Sequence, residues 1–186
     1  MSDPQLSRTH FTTTNIALIG VFSAVWVILT LTIAPLGFAF LHLPVIHSLI
    51  IFLLLILITW ATEQFGAASL VSIIGSAIVV LVNPSILPVL GFVPAAILFD
   101  LALLVNHHRV NVKPSSIGIV IVASILCAYV AGLINGLFIL PNLAWIYVVT
   151  VWGGWNILGA VIGVAATLPI IAVLEKADVK KVKAEL

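Results

Sequence analysis

Trp152, Trp155 and Asn156 stand within about one helical turn, in the stretch VWGGWNILGAVIG that runs from Val151 to Gly163. Indole faces stack on planar rings and attract cations, and a carboxamide adds an acceptor and two donors in fixed directions. That is a set for recognising a small ring-bearing molecule rather than for reacting with it. At 100° per residue, Trp152, Trp155, Asn156, Gly159, Gly163 and Ala166 share one helical face. The preceding apolar segment offers a matching face in Ala128, Gly132 and Asn135, with Asn135 at a depth comparable with Asn156. An uncompensated carboxamide in hydrocarbon is costly, so both asparagines are expected against protein or an aqueous cavity, or bonded to each other. The plainer alternative makes the tryptophans part of an interfacial aromatic belt and Asn156 a tie between helices. For Trp145 and Tyr147, closer to the end of the segment, the belt is the expected role.

His42 and His47 flank Leu43-Pro44-Val45-Ile46. Paired imidazoles bind metals, but no third His, Cys or carboxylate falls on the same side, so they are expected as hydrogen-bonding groups of the binding site and no metal site is assigned. His107 and His108 adjoin Arg109 and read as a solvated loop. Asp100 is the one carboxylate well inside an apolar run, which makes it a functional candidate by default. It lies about 7–8 Å of helix rise from the end of that run, so pairing with Arg109 or snorkelling is the expected role, with a conformational or coupling role as the alternative; Glu63 reads as a turn residue.

Small residues form two stripes, Ala17, Gly20 and Ala24 in the first apolar run and Ala68, Ser72, Gly75 and Ser76 in the third. Such stripes let helices approach closely, within one protein or between partners. Motifs for chemistry are missing: there is no Walker A sequence, His-Glu-x-x-His, Gly-x-Ser-x-Gly or carboxylate cluster. The single cysteine, Cys127, supports neither an intramolecular disulfide nor a zinc pattern. No enzyme activity and no cofactor are expected.

The elements that position these residues follow from composition. Of 186 residues, 63% are hydrophobic and 7% charged, and mean hydropathy is +1.35. Soluble domains carry roughly 25% charged residues, so an all-α integral membrane protein is expected, in contact with the lipid bilayer. A net charge of +1 points to no nucleic-acid partner. A span needs about 20 apolar residues, and six runs qualify or come close: Asn15–Ala34, Ile46–Thr62, Ala67–Val82, Pro88–Val105, Ser116–Leu140 and Ile146–Leu174. The first is longer than a signal-peptide core and is read as a span. With both termini cytoplasmic, every Lys and Arg falls inside and the outer loops (residues 35–45, 83–87 and 141–145) carry none, as the positive-inside rule requires. Those outer loops are themselves apolar and are expected to cap the bundle. Residues 175–186 form a charged cytoplasmic tail on a single membrane domain.

In size, six-span layout, apolar first outer loop and small-residue stripe on the first span, the chain resembles the substrate-binding S components of energy-coupling-factor (ECF) vitamin transporters. That family commonly carries Ala-x-x-x-Ala where this sequence has Gly20-x-x-x-Ala24 preceded by Ala17. The stretches FGAASLVSIIGSAIVVLV and LGFVPAAILFDLALL look most like the hydroxymethylpyrimidine or thiamine branch. The resemblance implies capture of a vitamin or precursor from outside by the outer loops and the outer halves of spans four to six, where Trp152, Trp155, Asn156 and Asn135 lie. It also implies docking, through the first three spans, on a transmembrane coupling subunit driven by two ATPase subunits in the plasma membrane of a prokaryote. Two other classes remain open on the residues alone: a ligand-free membrane scaffold, and a cobalt or nickel uptake S component relying on His42 and His47.

Overall fold

The computed structural model describes residues 11–41, 43–139 and 145–177. Every regular element among them is helical: α1 (Thr13–Leu41), α2 (Val45–Thr62), α3 (Ala67–Val82), a 3-10 segment (Pro84–Gly91) leading into α4 (Phe92–Leu103), and α5 (Pro114–Ile139). A short helical turn (Trp145–Tyr147) and a π-helical turn (Val148–Trp152) then lead into α6 (Gly153–Lys176). Five helical stretches are long and apolar enough to cross a membrane, and α3, with 16 residues, is apolar but shorter. The large side chains left exposed, among them Val21, Ile28, Leu81, Val122, Leu126 and Val173, face outward as they do where lipid is the solvent. The fold is a helical bundle of the multi-pass membrane type.

The packing follows from helical stripes. In α1, Asn15, Ile19, Ser23, Trp26, Thr30 and Ala34 recur every three or four residues and are buried, and Thr12 Oγ1 caps the helix by accepting from Asn15 N at 3.2 Å. That stripe rests on α2 and α3. The α3 stripe of small residues is buried inside the bundle: a Cβ on Gly75 would lie 2.7 Å from the Trp26 ring. The chain closes a ring in which α3 packs on α4, α4 on α5, α5 on α6 and α6 on α2. The α2–α6 contact is the most extensive because Gly159 has no side chain to hold off the Val45 carbonyl, and Gly163 likewise admits the backbone at Leu49.

Helix limits differ from the sequence expectation at one end of the bundle. The first outer loop was expected from Pro35, yet α1 runs through Pro35 to Leu41. Proline removes one N–H and crowds the carbonyl four residues back, but in apolar surroundings with neighbouring helices a helix tolerates it. The second expected outer loop is mostly the 3-10 segment, started by Asn83, whose Oδ1 accepts from Ser85 N at 3.1 Å. Residues 140–144, most of the third, lie outside the described residues, as does the tail from residue 178. Two ends of the bundle can thus be named: a proline end (Pro35, Pro44, Pro84, Pro88) and a basic end, where Arg109, Lys113 and Lys176 lie.

Candidate functional site

At the proline end the helices surround a partly open cavity of about 320 Å³. Thr30, Ala34 and Pro35 of α1 form one wall; Leu43, Pro44 and His47 at the start of α2 form the next. Ser85, Ile86, Pro88 and Val89 of the 3-10 segment lie opposite, and Asn135 of α5 and Trp152 of the π turn complete the lining. Each wall has a local cause. The 3-10 coil places Pro88 and Val89 beside the cavity before α4 begins. The π turn adds one residue to the helical repeat immediately before α6, and Trp152 is its last member.

Three buried polar atoms of this lining have no hydrogen-bond partner among the described residues: Thr30 Oγ1, His47 Nε2 and Asn135 Oδ1. An enclosed polar atom without a partner costs about 1–3 kcal/mol; all three are covered by neighbouring protein atoms, so they border the cavity without being exposed in it. His47 is held in place by an edge-on contact with Phe92, ring centroids 4.9 Å apart. The Asn135 carboxamide is directed at Gly91, where any Cβ would collide with it. None of the described lining residues is Asp, Glu, Lys or Arg.

Of the residues expected from sequence, Asn135, His47 and Trp152 meet at this cavity. Asn156 is fully buried one turn beyond Trp152 and does not line it. Its Oδ1 accepts from Ser48 Oγ of α2 at 2.5 Å, and its Nδ2 donates to the Trp152 carbonyl at 2.9 Å. Asn156 therefore ties α6 to α2, the helix-linking alternative. Trp155 is half-buried on the flank of α6 and is not part of the lining. The inward face of α6 is Trp152, Asn156, Gly159, Gly163 and Thr167; Ala166, expected on it, is exposed. His42 lies outside the described residues. Trp145 and Tyr147 are exposed at the same end, as belt residues would be.

No protein-family model, curated protein or solved structure matches the chain. What the site does must be read from its own chemistry.

Sequence reasoning missed Thr30, Ser85 and the prolines. A threonine in an apolar run and prolines in a presumed loop carry no periodic signal; only the fold brings them to one cavity.

At the basic end, two expectations are corrected. Asp100 does not rely on Arg109: its Oδ2 accepts from Ser69 N at 2.8 Å and from Ser69 Oγ at 2.5 Å. The carboxylate thus satisfies a free N–H in the first turn of α3, where negative charge is favoured. His108 is buried rather than solvated, with its ring 5.6 Å from that of Phe65. Burial lowers its pKa below the ordinary histidine value, against the opposing attraction of Asp100 and with a further lowering from His107.

Proposed function

We propose that this chain is a substrate-binding subunit of an ECF-type importer. It takes up a small vitamin or vitamin precursor at the proline end and passes it on through an ATP-driven partner module. The observation that carries this reading is the cavity itself: lined by five helical elements, faced by one indole and bordered by three polar atoms with no partner among the described residues. Its volume is at the lower end of the range for small-molecule sites, about 300–1,000 Å³, which suits one or two rings. The resemblance in size, span layout and stretches 65–82 and 90–104 supplies the transporter context. In that reading the chain crosses the membrane six times with both termini inside. The proline end faces out, and the membrane is a prokaryotic plasma membrane.

The lining also favours one ligand class. A cation moved into an apolar site without a counter-charge is strongly disfavoured, and one indole is a weak substitute for a carboxylate. Asn135 Oδ1 takes a donor once its carboxamide turns from Gly91 toward the cavity, and Thr30 Oγ1 either donates or accepts a hydrogen bond. A neutral aromatic amine or alcohol of the hydroxymethylpyrimidine kind answers both better than the thiazolium cation of thiamine.

Native mass spectrometry of gently purified protein should show a bound small molecule, and titration with a panel of B vitamins and precursors should quench tryptophan fluorescence. Hydroxymethylpyrimidine should bind at least tenfold more tightly than thiamine. Absence of any co-purified ligand and of binding across the panel would falsify the reading.

A further inference from the structure

On the far side of the bundle from α1, an apolar groove runs along α5 at the basic end, bordered by Ala102 and Val105 of the preceding segment and by Pro114, Gly118, Val122 and Leu126. Gly118 forms its floor: a Cβ there would meet nothing within 4 Å. Val105, Val122 and Leu126 are 77%, 58% and 61% exposed, so the fold itself leaves this surface uncovered. From Pro114 to Leu126 the groove follows about 18 Å of helix rise. One leaflet of hydrocarbon is about half of a 30 Å core, so the length matches one acyl chain.

Two cations lie beside the Pro114 end of the groove, just outside its lining. Lys113 directly precedes Pro114, and both Lys113 and Arg109 are exposed. The turn that carries them is held by a polar hub. Ser116 Oγ donates to the Arg109 carbonyl at 3.0 Å, and accepts from Asn106 Nδ2 at 3.0 Å and from Asn111 N at 3.2 Å. Residues 101–113 contain no acidic side chain, and the neighbouring carboxylate, Asp100, is buried on Ser69. The Pro114 end is flanked by positive charge and the groove itself is apolar, the chemistry of a basic headgroup site at a membrane surface.

We propose that this groove binds an anionic phospholipid, one acyl chain lying along α5 over Gly118 and the phosphate held by Arg109 and Lys113. The site is independent of the proline-end cavity and requires only that the bundle be membrane-embedded. A lipid seated there fills the one side of α5 that α4 and α6 leave open.

The test uses the full chain in nonionic detergent, titrated with phosphatidylglycerol and, separately, with phosphatidylcholine of the same acyl chains, and read by native mass spectrometry. Phosphatidylglycerol should bind more tightly. Arg109→Gln and Lys113→Gln should each weaken it about fivefold while leaving phosphatidylcholine unchanged. Gly118→Leu, whose side chain enters open space and does not disturb internal packing, should reduce retention of both lipids. Equal binding of the two lipids by the unaltered chain overturns the proposal, as does a preference that survives both charge substitutions. Undiminished retention in Gly118→Leu overturns the groove as the seat. Inorganic phosphate competing as well as phosphatidylglycerol would reduce the site to a headgroup contact and overturn the acyl-chain assignment.

Discussion

Two asparagines of similar depth do opposite things, and the difference lies in their partners. Asn156 uses both ends of its carboxamide within the fold, on Ser48 and on the Trp152 carbonyl. Asn135 keeps its Oδ1 without a partner among the described residues at the cavity wall. Truncating a satisfied group strands its partner, whereas truncating an unsatisfied one removes a cost already present. Asn156→Ala should therefore lower stability by about 1–3 kcal/mol, seen as a reduced melting temperature in detergent. Adding Ser48→Ala should recover part of that loss, since no hydroxyl is then left stranded; a simple sum of the two single losses would break the argument. Asn135→Ala should leave the melting temperature nearly unchanged while weakening ligand binding roughly tenfold or more, the worth of one buried hydrogen bond to a ligand. Gly91→Ala should act as a milder version, because the added methyl forces the Asn135 carboxamide to turn.

Among the elements, the turn between α4 and α5 carries the clearest pH signal. His107 and His108 both adopt left-handed backbone conformations, with φ of 49° and 55°, and His108 is packed under Phe65 with neither ring nitrogen bonded among the described residues. Its folded pKa lies below the unfolded value of about 6.5, so the unfolded chain binds its proton first. Its contribution to stability is complete above pH 6.5 and is lost as pH falls from there toward the lowered folded pKa. Melting temperatures measured from pH 7.5 to 5 should decline, and His108→Phe should flatten the slope; an equal slope in both proteins would remove His108 as the cause. The sequence placed this histidine in solvent, because adjacency to Arg109 says nothing about Phe65, a residue 43 positions away. Elsewhere the elements were largely legible, since apolar runs of about 20 residues leave helices as the main option. Their ends were not: Pro35 and Pro88 look like breaks, but surrounding helices hold the chain helical through both. The site was legible where a polar residue interrupts a small-residue face, as Asn135 and Trp152 do. It was not legible at the edges of the α6 face, where Trp155 and Ala166 stand about 100° and 60° from Asn156 and Gly163 and fall outside the buried arc.

At the scale of the whole molecule, the small-residue stripe of α1 and that of α3 have different fates. Ser72, Gly75 and Ser76 of α3 are buried inside the bundle, Gly75 directly against Trp26 of α1, whereas Ala17, Gly20 and Ala24 are exposed on the face of α1 turned away from α2 and α3. A Cβ on Gly20 would meet nothing within 4 Å, so the bundle gains nothing from glycine there. Against lipid a larger side chain would serve as well, while against another helix a small one permits close approach. Under the proposed function, that face receives the transmembrane coupling subunit. Gly20→Leu should then leave folding and ligand binding intact, because the leucine enters open space. It should lower recovery of the coupling subunit and both ATPases in co-purification severalfold, and vitamin uptake by cells should fall with it. Since the cavity lies at the proline end and Gly20 near the basic end, about 15 Å of α1 from Thr30, loss of uptake with unchanged ligand affinity separates docking from capture. Uptake that survives Gly20→Leu would leave α1 as a lipid-facing helix and move the docking surface elsewhere on the bundle.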